Sequence, residues 1–495
     1  MEAANGFQHF GMRRSVAACF ALFILFNLFY NMTLPLHFDE AYYWVWSKQP
    51  QLSYFDHPPM IAWLIGVTTL LGNAEWLIRL VPLGCATLTG LTIWRLAALM
   101  YTPAIADKAL LIFLLSPLAQ MGFTLATPDA PMILGWSLTL FCAYRAFFEQ
   151  RCRWYYLAGL AAGFALLSKY TAVLLFPALF GLAFCSSLRR KLMWREFAMA
   201  VGLALLVFLP VIIWNAGQDW VSFRFQLNHG FAGPQSPQAA TFFEYLGVQA
   251  VAVGPLFFLF LLYLIGRYLP VMMRDEKQAF LLWPCLTVLG FFAYAALFKR
   301  AEGNWAAPAH VSGIILLARW LDQRGYQQLY RAGVALGIIL VLLLKLPEAF
   351  DFLPTKLVMK RQLLGYDAMF QTAGPYLVAG EKVIAADYKL ASLAAYYMPG
   401  QPAVTVLTPS RVSQYDYWRR ELPVKPGDAA LFFGYAEQKA ALEQLFAEVI
   451  PLPPLTYSGR YIERSLQVYR CRDYLPNPGL WSGLPPSGSG SAPSR

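Results

Sequence analysis

Two acids stand side by side at Asp39 and Glu40, in the segment His37-Phe38-Asp39-Glu40-Ala41-Tyr42-Tyr43. A carboxylate there suits removal of a proton from an acceptor hydroxyl, a general-base role worth about 10²–10⁴ in rate. The plain alternative is a helix start, where acids are favoured in the first turn. A second cluster follows at Tyr54-Phe55-Asp56-His57-Pro58-Pro59. Asp56 and His57 suit metal binding or substrate steering, while the prolines stiffen the chain; a rigid turn is the simpler reading. Asp129, in Thr127-Pro128-Asp129, is a third acid, with a helix cap as its ordinary role. Cations complete the set. Lys169 lies in Leu167-Ser168-Lys169-Tyr170-Thr171, and Lys299-Arg300-Ala301-Glu302-Gly303-Asn304-Trp305 has the make-up of an anion-binding rim. Acids suit hydroxyl activation and cations suit a departing phosphate. Against this stand a snorkelling lysine and a solvated loop with an internal ion pair.

These residues must be positioned by an unusually apolar chain. Of its 495 residues 58% are hydrophobic and 14% charged, against about 25% charged in soluble domains. A bilayer core takes roughly 20 apolar residues per helix. Residues 16–33, 77–100, 109–125, 131–148, 155–167, 171–186, 197–214, 246–265, 280–298, 306–321 and 332–346 qualify or come close, about eleven spans. The net charge of +11 implies no nucleic-acid partner, because the basic residues fall in alternate short connections. Arg13 and Arg14, then Arg145, Arg151 and Arg153, then Arg189, Arg190, Lys191 and Arg195, and later Arg267, Arg274, Lys277, Arg319, Arg324 and Arg331 follow that positive-inside pattern. It places the N-terminus in the cytoplasm and the C-terminal tail outside. Asp39, Asp56 and Asp129 then share the exterior side. Lys169 and the loop at 299–305 break the pattern there, which calls for an explanation of their own. The first span lacks a small-x-small cleavage site and reads as uncleaved.

Three exterior connections interrupt the hydrophobic rhythm, at residues 35–75, 215–245 and 299–310, the second of them a polar loop. From about residue 348 the composition is that of a soluble domain. Residues 382–386, 403–407 and 429–433 read as strands, and 391–397 and 437–448 as helices. The expected organisation is a transmembrane module over 1–347, an exterior α/β domain over 348–480, and a disordered tail over 481–495 rich in Pro, Ser and Gly. Seven cysteines form neither a disulfide framework nor a metal knuckle. A P-loop and a dinucleotide-binding glycine pattern are both absent from the sequence.

The Asp39-Glu40 pair, followed by Tyr54-Phe55-Asp56-His57-Pro58-Pro59, resembles the bacterial branch of the C-type (GT-C) glycosyltransferases. That branch is similar to protein O-mannosyltransferases and to the lipid A aminoarabinose and galacturonic acid transferases. Ser168-Lys169-Tyr170-Thr171 and Gly303-Asn304-Trp305-Ala306-Ala307-Pro308-Ala309 look like further family segments, and the resemblance spans roughly residues 14–345. It implies a polyprenyl-phosphate-linked sugar as donor and inverting transfer in the periplasm. Asp39 matches the family's first-loop acid, which orients or deprotonates the acceptor, with Glu40 beside it. Asp129 matches the acid after the third span. Tyr42, Tyr54, Asp56, His57, Lys169, Lys299, Arg300, Glu302 and Asn304 would contact substrate, the cations meeting the donor phosphate. Some relatives use a divalent cation; no ligand set in this sequence is compelling enough to assign one.

The sequence is therefore read as a polytopic α-helical GT-C enzyme of the bacterial inner membrane with a small periplasmic α/β domain. Its expected acceptor is lipid A or lipopolysaccharide, the alternative being a protein, as for O-mannosyltransferases. A transporter or lipid flippase is the rival from another class. It calls for ionisable residues near mid-membrane in broken, repeated helices, whereas here the acids gather at one rim of spans nearly free of charge.

Overall fold

A computed structural model describes residues 11–185, 187–231, 236–407, 410–419 and 424–475; the expected tail at 481–495 lies outside them. The chain divides into two compact units, Met1–Leu34 with Trp46–Pro354, and Pro35–Val45 with Thr355–Arg495.

The first unit is helical. It begins with α1 (Arg14–Asn31); α2 (Phe38–Lys48) runs from the second unit back into the first, and α3 (Met60–Thr68) and α4 (Glu75–Met100) follow. The single span expected over 109–125 is two helices, α5 (Pro103–Leu114) and α6 (Pro117–Gly122). Ser116 breaks it: it sits in the extended region before Pro117, and its hydroxyl accepts the Ala119 N–H as an N-cap. Next come α7 (Asp129–Glu149), α8 (Cys152–Ser168), α9 (Leu175–Cys185) and α10 (Trp194–Ala216). The polar connection expected over 215–245 instead carries α11 (Val221–Phe231) and the start of α12 (Ala239–Val253). The unit closes with α13 (Pro255–Arg274), α14 (Glu276–Ala296), α15 (Ala307–Leu321) and α16 (Gln327–Lys345).

Among the described residues seven helical segments are long and apolar enough to cross a membrane, with shorter apolar ones between them. Small residues let α7, α8 and α10 pack closely. A Cβ on Gly135 of α7 would lie 2.8 Å from the Ala165 backbone nitrogen of α8, and one on Gly159 would strike the Ala200 carbonyl of α10. Two cations are buried in the apolar body, contrary to the expectation of spans nearly free of charge. Both meet carbonyls at or just beyond helix ends, which lack intrahelical donors. Arg79 donates to the Asn31 and Leu34 carbonyls at 3.0 and 2.6 Å, and Lys345 to the Gln120 carbonyl at 3.1 Å.

The second unit is a five-stranded sheet with helices. Its strands are β1 (Lys382–Ala385), β2 (Val404–Val406), β3 (Ala430–Gly434), β4 (Phe446–Ser458) and β5 (Glu463–Tyr474), in the order β2-β1-β3-β5-β4. β1 runs parallel to β2 and β3, whereas β5 is antiparallel to β3 and β4. β3 is a fully buried apolar strand, as its continuous Ala-Leu-Phe-Phe run implies. The helix at Tyr388–Tyr397 is capped by Asp387, whose carboxylate accepts the Lys389 and Leu390 N–H groups at 2.9 Å each. The helix expected over 437–448 reaches only Leu442. From Phe446 the chain is strand β4, because pairing with β5 overrides the local helix propensity. Residues 35–45 join this unit partly through the Leu36 N–H, which donates to the Tyr397 hydroxyl at 2.6 Å.

Candidate active site

In the first unit three segments converge on one carboxylate. Asp129 is the first residue of α7, after Thr127-Pro128. Its Oδ1 lies 2.7 Å from Lys169 Nζ, and its Oδ2 accepts Asn304 Nδ2–H at 2.8 Å. Lys169 is the extended C-cap of α8, and Asn304 belongs to the 3-10 turn Gly303–Ala306 that leads into α15. The lysine and aspartate side chains are only 9% and 13% exposed, so the pair lies largely out of water. The turn is anchored from behind. Gln249 of α12 donates to the Gly303 carbonyl at 3.0 Å, and its amide oxygen lies 2.8 Å from His310 Nε2 of α15.

The other expected residues of this unit have different settings. Arg300 pairs with Glu244 of α12 at 2.8 Å, both well exposed; Glu302 is exposed and Lys299 half-buried. Asp56 is buried, and Gln226 of α11 donates to its backbone carbonyl at 2.8 Å. His57 closes the same turn, its carbonyl accepting the Tyr54 N–H at 3.3 Å. Asp56 lies within electrostatic reach of Tyr170, the neighbour of Lys169. Tyr54 is fully buried and stacked 4.2 Å from Trp46, its hydroxyl 2.9 Å from the Trp46 carbonyl. That hydroxyl holds the loop to α2.

The second unit contains Asp39, Glu40 and Tyr42. Glu40 is fully buried and folds back to accept the His37 N–H at 2.9 Å, so it caps α2. Asp39 lies one residue earlier, 31% exposed and 3.6 Å from His37 Nδ1. Burial pushes its carboxyl above the ordinary value of 3.8; His37, Arg411 and Lys389 oppose that shift, and the Glu40 charge adds to it. Tyr42 is buried against Tyr388 and Tyr415, and its hydroxyl accepts the Gln414 N–H at 2.6 Å.

The comparisons with known proteins come in three kinds. A family model described as dolichyl-phosphate-mannose-protein mannosyltransferase matches residues 56–214. A lipid A galacturonosyltransferase of Rhizobium johnstonii is 27% identical over 359 residues, 70% of this chain and 74% of that protein. Among solved structures, ArnT from Cupriavidus metallidurans superposes with a TM-score of 0.64 in its apo state and 0.65 bound to undecaprenyl phosphate. Each is 14% identical and covers 92% of this chain and 98% of that one. The chain has the C-type glycosyltransferase fold.

In this chain of GT-C fold no group of three or more His, Cys, Asp or Glu side chains is placed to hold a metal ion among the described residues. Sequence reasoning missed Gln249 and His310, which lie 61 residues apart, and Lys389 and Arg411, which the fold of the second unit places near Asp39. None of the four carries a local motif. The only signal for His310 is an imidazole within an apolar run.

Proposed function

We propose that the chain transfers a sugar, with inversion, from a polyprenyl-phosphate donor to lipid A on the periplasmic face of the bacterial inner membrane. The observation that carries this reading is the largely buried Lys169–Asp129–Asn304 cluster. An ammonium fixed at a helix end, in an apolar body, is organised to stabilise charge developing on a phosphate. Asp129 and Asn304 set its position, so little reorganisation accompanies reaction. The family model covers residues 56–214, which include Asp56, Asp129 and Lys169, and the donor half of the chemistry falls to them.

The acceptor half falls to Asp39. As a carboxylate it accepts the proton of the attacking hydroxyl while the new bond forms at the anomeric carbon. The bond from that carbon to the phosphate oxygen breaks, and its electron pair leaves with the polyprenyl phosphate. A carboxyl held above its ordinary value is a better proton acceptor than an unperturbed one. Lipid A as acceptor is supported by the galacturonosyltransferase relative, whose similarity covers 70% of this chain.

The test deletes the gene and weighs lipid A and core glycans by mass spectrometry. A lost sugar mass returning with wild type, but not with Asp39→Asn or Lys169→Ala, is the expected outcome. An unchanged lipid A profile removes lipid A as acceptor.

A further inference from the structure

At the end of α8 away from Lys169, two connections are fastened together. Gln150, the C-cap of α7, donates to the Phe147 carbonyl at 2.7 Å and to the Lys191 carbonyl. The Met193 N–H, just ahead of α10, donates to the Tyr155 hydroxyl of α8 at 3.1 Å. The α7–α8 and α9–α10 connections therefore lie side by side. Arg153, in the first turn of α8, is about 24 Å along the helix from Lys169 at ~1.5 Å per residue.

From these connections a groove of about 510 Å³ runs toward the middle of the helices. Its walls are α7, α8, α9 and α10, with Phe147, Tyr155, Ala162, Leu179, Phe197 and Ala204 among the lining side chains. Phe180 of α9 meets Phe197 of α10 edge to face at 5.4 Å, which joins those two walls. Two hydroxyls reach the lining, and both are engaged within the protein. Thr139 donates to the Gly135 carbonyl at 2.7 Å, and Tyr155 accepts from Met193. Water lacks a set of polar partners in such a groove, whereas a hydrocarbon chain gains dispersion contact with its walls.

The connections carry surplus positive charge. Glu149 is paired with Arg145, Glu276 with Lys191, and Glu196 accepts the Tyr156 hydroxyl. Those acids are engaged. Arg151, Arg189, Arg190 and Arg195 are exposed and in no ion pair among the described residues. A guanidinium fork matches phosphate oxygens. Basic residues at the polar end of an apolar groove match an amphipathic anion, the pattern of a phospholipid site between helices.

We propose that the groove between α7, α8, α9 and α10 holds an acyl chain of an anionic phospholipid, whose phosphate meets the arginines of the two connections. The site is separate from the Lys169–Asp129–Asn304 cluster and does not depend on the transferase reading.

The test adds phosphatidylglycerol or phosphatidylcholine with identical acyl chains to the full chain in detergent, and counts retained lipid by native mass spectrometry. Phosphatidylglycerol is expected to bind about 10-fold or more tightly than phosphatidylcholine. Arg189→Gln/Arg190→Gln/Arg195→Gln should erase that preference, and the three Lys replacements should keep most of it. Leu179→Trp, which fills the groove from α9, should lower retention of phosphatidylglycerol by about 10-fold. Ala204→Leu repeats the block from α10, in case the first variant folds poorly. Equal binding of the two lipids, or a wild-type preference in the triple Gln variant, overturns the proposal. So does full retention in both groove-filling variants, which would leave the chain outside the groove. Displacement by excess glycerol phosphate would reduce the site to a phosphate site. Displacement by polyprenyl phosphate at equal concentration would assign the groove to the donor lipid instead, and either result defeats the phospholipid assignment.

Discussion

Lys169 Nζ and Asp129 Oδ1, 2.7 Å apart, join the end of α8 to the start of α7, two helices that pack along their length. With so little of either side chain exposed, removing one partner leaves a charge without compensation, a loss of about 3–5 kcal/mol. Lys169→Ala and Asp129→Ala are each expected to lower the thermal midpoint in detergent. The double variant should lose less than the sum, because the two residues are coupled. Transfer should fall by about 10²-fold or more in all three. Additive midpoint losses would show that the pair does not act as a unit.

Arg300 is expected to behave differently, although it lies in the same polar loop as Asn304. Its pair with Glu244 is exposed on both sides, 70% and 42%. Pairs of that kind contribute about 0–1 kcal/mol. Arg300→Ala should therefore leave stability nearly unchanged, and transfer should stay within about two-fold of wild type. Asn304→Ala, which removes a hydrogen bond to Asp129, should reduce transfer far more. A steady-state comparison of the two variants decides whether the loop acts through charge or through Asn304.

That contrast shows what the sequence could tell. Apolar run length reveals the membrane body, and residue type alone makes Asp129, Lys169 and Asn304 candidates, which the fold brings into contact. What was not legible depends on pairing across long separations. Nothing local distinguishes Arg300, held by Glu244, from Asn304, which faces Asp129 across 175 residues. Glu40 and Asp39 are adjacent and alike in type, yet one caps α2 and the other stays partly open. The strand at Phe446–Ser458 was hidden for the same reason, since its partner β5 decides its state. Lys389 and Arg411 were ordinary surface cations until the fold set them around Phe38 and Tyr388.

The close approach of α7 to α8 is open to a packing test. A Cβ on Gly135 would stand 2.8–2.9 Å from the nitrogen, Cα and Cβ of Ala165, mostly backbone that cannot move aside. Gly135→Ala is expected to destabilise by about 1–3 kcal/mol, visible as a lowered thermal midpoint. Gly84→Ala, in open space on α4, should show no such cost and serves as the control. Equal midpoints for the two variants would show that the helices separate easily.

Asp39 links pH, stability and activity, and the signs can be worked out. Its folded carboxyl is held above 3.8, first by burial and then by the Glu40 charge, against His37, Arg411 and Lys389. Between 3.8 and that raised value the folded state binds more protons than the unfolded one. Stability therefore falls as pH rises through this window and stays lowered above it. Asp39→Asn removes the partly desolvated charge, so its thermal midpoint at neutral pH should equal or exceed that of wild type. Its transfer rate should fall by about 10²–10⁴-fold. Wild-type transfer should decline as pH drops through the raised value, because the base becomes protonated. Lys389→Gln removes a charge that lowers the carboxyl, and should move that acid limb toward higher pH. A pH–rate profile of Lys389→Gln that overlays wild type, or an Asp39→Asn protein that melts earlier yet transfers normally, would remove Asp39 from the base role.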